Sequence, residues 1–310
     1  MFYDLIIIGG GPAGISAGVY AARKKLKTLL IAPEIGGQSV VSEGIENWIG
    51  TVKISGTELA ENLKKHLLAY AGDSVTLLEG EGAQDVEKID GGFLVTTDSG
   101  KYTTKTILVA TGSTRRKLEI PGAKEFDNKG LTYCASCDGP LFSGEDVVVI
   151  GGGNAALETS AQLLAYCKSV TLLNRSETLR GDEVTIEKLK SNPKFKIILN
   201  AIPKEIKGEK LVKSIVYTDY TDSSANEDHE IITPGIFVEI GLIPTTYFVK
   251  NILDLNKIGQ IPVDPKTQQT NTKGVWAAGD CTDGLYHQNN IASGDAVKAL
   301  EDIYITLHTK

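Results

Sequence analysis

Cys134 and Cys137 stand two residues apart and are followed directly by an acid, in the run Cys134-Ala-Ser-Cys-Asp-Gly139. A two-residue spacer holds two sulfurs in a small ring, so either the disulfide or the dithiol is accessible at modest cost. Such pairs also lower the pKa of one thiol, supplying the thiolate that exchange requires. The other chemistry open to such a pair is half of a zinc site. That would need a second pair, yet Cys167 and Cys281 stand alone, and the four histidines have no ligand spacing. No metal site is expected. Asp138 suits the N-cap of a following helix.

A cysteine pair needs an electron source, and the chain carries two copies of a nucleotide-binding pattern. In the first copy the apolar run Leu5–Ile8 leads into Gly9, Gly11 and Gly14, then a helix over 15–22, a strand over 27–31 and Glu34. Glycines at this spacing let the backbone approach a pyrophosphate at a helix N-terminus, where unpaired N–H groups and the dipole favour an anion. Glu34 is spaced to accept from a ribose, with Pro33 beside it. The second copy has a strand over 147–150, Gly151 and Gly153, a helix over 155–165 and a strand over 169–173. Ala156 takes the place of the third glycine, as the fingerprint allows.

The elements around these turns repeat as well. Ile107-Leu-Val-Ala-Thr-Gly112 and Ile236-Phe-Val-Glu-Ile-Gly241 are apolar strands closing on glycine, each downstream of its own glycine turn. Between turn and closing strand, both copies alternate in the manner of exposed-faced strands, at 92–97 and 211–217. The second copy thus reads as inserted into the first, which resumes near Pro244 and ends its sheet with the strand in Gly274–Asp280. The expected fold is α/β: two Rossmann-like dinucleotide-binding domains of the three-layer β/β/α type. The outer domain is discontinuous, 1–116 and 244–310, and the inserted one is 117–243. The two crossings, near 115–118 and 242–245, would form a double-stranded hinge.

Composition narrows the class. A formal charge of −7 and a pI near 5.3 argue against a nucleic-acid surface. No apolar run approaches the length needed to span a bilayer, and no secretory leader is evident. Four cysteines in 310 residues are too few for a disulfide scaffold, so a reducing, cytoplasmic setting is expected.

Seven motifs together carry a resemblance: Gly9-Gly-Gly-Pro-Ala-Gly14, Gly36-Gly-Gln38, Ile45-Glu-Asn-Trp48, Ala110-Thr-Gly112, Tyr133-Cys-Ala-Ser-Cys-Asp-Gly-Pro140, Gly151-Gly-Gly-Asn-Ala-Ala156 and Ala278-Gly-Asp280. The chain resembles the low-molecular-weight thioredoxin reductases, and also the reductase portion of the alkyl hydroperoxide reductase flavoprotein. The resemblance implies FAD in the outer domain, a nicotinamide nucleotide in the inserted domain, and a homodimer. It implies that Cys137 faces the flavin, that Cys134 attacks the protein substrate, and that Asp138 is the general acid. For FAD it points to Gly9, Gly11, Pro12 and Ala13 at the pyrophosphate, Glu34 at the adenosine ribose, and Gly37, Gln38 and Asn47 towards the ring and ribityl chain. Ala83, Ala110, Thr111, Gly112, Gly279, Asp280, His287, Gln288 and Asn289 complete that set. Most relatives carry Arg-Gln-Ala where this chain has His287-Gln-Asn289.

For the nicotinamide nucleotide the resemblance points to Gly151, Gly153, Asn154, Ala155, Asn174, Arg175, Arg180 and Gly241. Thioredoxin reductases carry His-Arg-Arg-x-x-x-Arg after the second strand, gripping a 2′-phosphate; here the run is Asn174-Arg-Ser-Glu-Thr-Leu-Arg180. Two arginines remain, and planar guanidinium groups suit phosphate. The hydroperoxide-reductase flavoprotein instead places an acid at position 174 and prefers NADH. NADPH is therefore expected over NADH. The reading is an FAD-dependent, NADPH-driven protein-disulfide reductase, a thioredoxin reductase acting on a thioredoxin or thioredoxin-like partner, with the inserted domain rotating between two states. The rivals are an NADH-dependent reductase of a peroxiredoxin system, a ferredoxin-linked relative, a dithiol oxidase, and a flavin-bound redox sensor without turnover.

Overall fold

The structure is a computed structural model that describes residues 2–309 apart from Glu43 and 221–226. The chain divides into two compact units, Met1–Thr114 with Ile243–Lys310, and Arg115–Leu242. These divisions lie two residues and one residue before those expected from the sequence. They fall where two short strands, β7 (Ser113–Arg115) and β16 (Leu242–Pro244), pair with each other.

In the first unit β1 (Phe2–Ile8), β2 (Thr28–Ala32), β3 (Val75–Glu79) and β6 (Lys101–Val109) form a parallel sheet in the order β3-β2-β1-β6. On the far side of β6, β17 (Val275–Ala277) pairs with its C-terminal part through Val275–Ile107. The N-terminal part instead takes the antiparallel hairpin of β4 (Ala83–Ile89) and β5 (Gly92–Thr97). Alternation along β1 explains the layers. Leu5 and Ile7 pack under α1 (Pro12–Arg23) and α6 (Asn289–Thr309) with Trp276, while Ile6 and Ile8 face Val86, Phe93 and Phe248. A further helix, α2 (Gly56–Ala71), is capped by Ser55, whose hydroxyl accepts from the Glu58 N–H at 3.1 Å.

The second unit repeats the plan. β11 (Phe195–Ile198), β10 (Ser169–Leu173), β9 (Asp146–Ile150), β15 (Gly235–Val238) and β8 (Leu131–Thr132) form a parallel sheet in that order. Val147, Val149 and Leu172 pack against α4 (Asn154–Leu163) and Leu189 of α5 (Glu183–Lys190). Val148, Ile150 and Ile236 pack against a second, antiparallel sheet of β12 (Ala201–Gly208), β13 (Val212–Asp219) and β14 (Glu227–Ile232). A short helix, α3 (Ala135–Asp138), begins directly after Cys134 and contains Cys137.

Both helices expected at the glycine turns differ from the sequence reading at their ends. α1 begins three residues early because Pro12 occupies its first turn, where a missing N–H costs nothing. α4 ends at Leu163, and the next residues tighten into bonds of Ala165 and Tyr166 to carbonyls three positions back. Among the described residues no helix is long and apolar enough to cross a membrane.

Candidate functional site

The three glycines of the first turn have three different surroundings. Gly9 adopts φ +123°, and a Cβ there would lie 2.1 Å from the Ala110 carbonyl oxygen, so only glycine lets β1 run this close to the end of β6. A Cβ on Gly14 would lie 1.9 Å from the Gly9 carbonyl oxygen, so this glycine seats α1 on the turn. Gly11 is different: a Cβ would meet nothing nearer than Gly37 Cα at 4.0 Å. Packing inside the protein does not require glycine there, whereas an anion resting on the N-terminus of α1 would.

The second turn repeats these surroundings. Gly151 has φ +151° and a Cβ there would lie 2.3 Å from the Glu239 carbonyl oxygen, while Gly153 has open space around its Cβ position. Ala156, the third member, is fully buried.

Around the first turn the structure gathers most of the residues assigned to FAD. Gly36 N–H donates to the Gly10 carbonyl at 2.9 Å, and Gly37 faces Gly11. Glu34 is exposed, just beyond the end of β2. Gly279, with φ +77°, lies against Ala13 and Ala292. Pro12 accepts a hydrogen bond from Ser293 of α6 at 3.4 Å. Asn47 Nδ2 donates to Gln288 Oε1 at 3.0 Å, and Ser39 Oγ donates to Asn289 Oδ1 at 3.0 Å, tying the 37–49 segment to the start of α6. Thr111 Oγ1 donates to the Thr245 carbonyl at 2.6 Å, and Gly112, with φ +66°, accepts from the Thr245 N–H at 3.1 Å. Ala110 is buried at the end of β6. Ala83 opens β4, and its carbonyl accepts from Tyr247 at 3.4 Å. His287 Nδ1 lies 3.4 Å from Asp280 Oδ1, and that hydrogen bond holds the imidazole above its ordinary value against the opposing effect of burial.

In the second unit Asn154 opens α4, and its Oδ1 accepts from the Asp182 N–H at 2.8 Å; Ala155 beside it is exposed. Arg175 and Arg180 are exposed, and neither forms an ion pair among the described residues. The Arg180 N–H donates to the Gly152 carbonyl at 2.7 Å, which draws this loop over the glycine turn. Asn174 does not join the arginines at the surface. It is buried, and its amide donates to the Ser176 and Thr178 carbonyls, both at 2.9 Å. Gly241, with φ +109°, accepts from the Arg116 N–H at 3.0 Å.

The cysteine motif belongs to this same unit. Thr132, at the end of β8 and buried, accepts from the Cys134 N–H at 3.2 Å and donates to the Asp138 carboxylate. Asp138 does not cap the following 3-10 turn with its side chain. The Cys137 side chain lies outside the described residues. Burial pushes the Cys281 and Cys167 thiols up to about 11, Cys167 with help from Glu145, so neither supplies a thiolate at neutral pH.

Two residues that the sequence reading left out stand beside these groups. Thr132 is one; nothing in its spacing marks it. The other is Glu239, just past β15, whose Oε1 accepts from Thr159 at 3.0 Å and lies 3.9 Å from Arg115 Nη1. Burial pushes its carboxyl up; Arg115 and Thr159 oppose the rise and Glu158 adds to it.

Two Rossmann-like units, each with a glycine turn that leaves room for a phosphate, define a dinucleotide-dependent α/β oxidoreductase scaffold. The chain belongs to the pyridine nucleotide-disulphide oxidoreductase family, whose model it matches over residues 3–296. Membership implies FAD and a nicotinamide nucleotide. Among curated relatives, an alkyl hydroperoxide reductase component of Staphylococcus aureus (strain MRSA252) is 41% identical over 298 residues. NADH dehydrogenase of Bacillus subtilis (strain 168) is 39% identical over 297. Both matches take in 96% of this chain, which spans only 57% of the length of either relative. Among solved structures, thioredoxin reductase from Streptococcus pyogenes MGAS5005 aligns with a TM-score of 0.88 at 31% identity, covering 100% of this chain and 99% of that one. Thioredoxin reductase from Giardia duodenalis gives 0.88 and 31%, over 98% of each chain. The fold is thus that of thioredoxin reductases.

Proposed function

We propose that the protein is an FAD-dependent, NADPH-driven protein-disulfide oxidoreductase, with a thioredoxin or thioredoxin-like protein as its partner. The observation that carries this reading is the linkage of Cys134 to Asp138 through the Thr132 hydroxyl, in the same compact unit as the second glycine turn. Pairing of Cys134 with Cys137 is supported by their spacing, by Cys134 being disulfide-bonded, and by Cys167 and Cys281 being free thiols.

The residues present fit both nucleotides. Gly9, Gly11, Pro12 and Ala13 would hold the FAD pyrophosphate, Glu34 its ribose, and Asp280 with Gln288 and Asn289 the flavin half. Gly151, Gly153 and the N-terminus of α4 would hold the second pyrophosphate, with Arg175 and Arg180 at a 2′-phosphate. When bound, FAD supplies a two-electron carrier between nicotinamide and disulfide. The chain's own part begins once the dithiol has formed. The Cys134 thiolate attacks one sulfur of the partner's disulfide, forming a mixed disulfide and releasing a partner thiolate. The Cys137 thiolate then attacks the Cys134 sulfur, which restores the intramolecular disulfide and frees the partner's second sulfur. Asp138, held by Thr132, supplies the proton when the chain's own disulfide opens.

A second reading, NADH-driven reduction of a peroxidase partner, is favoured by the 41% identity to the Staphylococcus aureus alkyl hydroperoxide reductase component. At the nucleotide itself, position 174 carries an amide and not a carboxylate, which favours NADPH. The test is a visible spectrum of the purified protein, anaerobic reduction by NADPH and by NADH, and turnover of an added thioredoxin. A yellow protein that NADPH bleaches and that reduces thioredoxin is the expected result. A protein that cannot be loaded with FAD would sink the proposal.

A further inference from the structure

The side chain of Asn174 is turned away from the surface on which the arginines lie. Both of its N–H groups are engaged, at 2.9 Å each, by the carbonyls of Ser176 and Thr178. Its Oδ1 lies against Gly152, where even a Cβ would approach to 2.2 Å. Its backbone is fixed as well, with N–H donating to Ile198 at 2.9 Å and carbonyl accepting from Ala201 at 3.0 Å. The loop that follows has other ties: Arg180 N–H to the Gly152 carbonyl at 2.7 Å and Asn200 N–H to the Ser176 carbonyl at 3.3 Å. Inside the loop, among the described residues, only the Asn174 amide ties the carbonyls of 176 and 178 together, and these two positions lie between Arg175 and Arg180.

We propose that Asn174 is a positioning residue that sets preference for 2′-phosphorylated nucleotides by closing the 174–180 loop, without itself touching the nucleotide. The proposal rests on the NADPH reading above. A carboxamide is the right group for this work because it offers two donors to two carbonyls. A carboxylate in its place would present oxygens to both carbonyls and push the loop open. The preference of this site therefore depends on how the loop is shaped as well as on how many arginines it holds.

The experiment uses the FAD-loaded protein and its Asn174→Ala and Asn174→Asp variants. Binding of NADP⁺, NAD⁺ and 2′,5′-ADP is measured by calorimetry, and tryptic cleavage after Arg175 and Arg180 is followed in the absence of nucleotide. In both variants NADP⁺ and 2′,5′-ADP should weaken by about tenfold or more, the value of a charge-assisted phosphate contact. NAD⁺ should weaken much less, and both arginines should become cleavage sites. Equal weakening of NAD⁺ and NADP⁺ in Asn174→Ala, or tighter NAD⁺ binding in Asn174→Asp, would show that the side chain reaches the ribose and would overturn the proposal. So would unchanged tryptic resistance, whatever the parent's nucleotide. A parent that prefers NAD⁺ would refute the NADPH reading separately, and the cleavage arm would still decide whether Asn174 closes the loop.

Discussion

Replacing Gly153 with alanine separates folding from binding at the second glycine turn. Gly153 has φ −101° and ψ −176°, a backbone conformation that alanine adopts freely, and no atom lies within 4 Å of the Cβ position. As the residue preceding α4 it loses a little capping preference, about 1 kcal/mol, offset by a gain of about 0.4–1 kcal/mol from a stiffer unfolded chain. Stability should therefore change by less than about 1 kcal/mol. Binding has no such compensation. A methyl group in the space before the helix N-terminus displaces the pyrophosphate from backbone N–H groups, and each lost charge-assisted bond is worth about 1.5–3 kcal/mol, or roughly 10- to 150-fold in affinity. Gly14→Ala is the contrasting variant. Its methyl would sit 1.9 Å from a backbone oxygen, which cannot swing aside, so the cost should exceed the about 1–3 kcal/mol of ordinary overpacking. Urea unfolding and calorimetric titration with NADP⁺ measure the two quantities. A Gly153→Ala protein that binds NADP⁺ as tightly as the parent would refute the reasoning, because the open space would then not be the phosphate's.

Other outcomes follow from the same geometry. Cys134→Ser and Cys137→Ser should each abolish reduction of a protein disulfide while NADPH still bleaches the flavin in a stopped-flow trace; equal partner turnover by either variant would point to another thiol. Thr132→Val removes the acceptor for the Cys134 N–H and the donor to Asp138, and should slow partner reduction about tenfold with little loss of NADP⁺ affinity. Glu239 has its proton affinity raised in the fold, so the unfolded chain ionises first as pH climbs. Its contribution to stability is present below the ordinary glutamate value and is lost as pH rises through the folded value. Glu239→Gln should therefore gain on the parent in urea midpoints as pH rises above the ordinary glutamate value, and a relative loss would mean that the Arg115 ion pair outweighs burial. Ser176→Arg adds a guanidinium to the loop and should raise the ratio of kcat/KM for NADPH over NADH.

What the sequence shows plainly is the part of the fold set by period and by glycine. Unbroken apolar runs such as Leu5–Ile8 and Val147–Ile150 are buried on both faces, so they read as parallel strands without ambiguity. The glycine spacing reads equally well, because steric demands at Gly9, Gly14 and Gly151 leave only one residue type, or alanine at 156. The antiparallel sheet of β12, β13 and β14 shows only as alternation at 211–217, since its outer face is polar and its partners are not marked by any motif.

The site residues divide along a different line, between what a side chain is and where it points. Asn174 follows a strand at a position that the sequence resemblance assigns to the nucleotide, and residue type alone permits either an outward contact or an inward bond. The inward arrangement wins because three neighbours need it at once: two carbonyls of the following loop take its donors, and Gly152 leaves room for its oxygen. Thr132 and Glu239 show the same thing from the other side. Thr132 closes β8 and meets Cys134 and Asp138 through the local turn that follows, whereas Glu239, just past β15, gains Thr159 and Arg115 when β15 aligns beside β9. Chemistry carried by one residue in a fixed motif can be read along the chain. Chemistry shared between distant residues depends on strand order, which brings together positions such as Thr159 and Glu239, 80 residues apart.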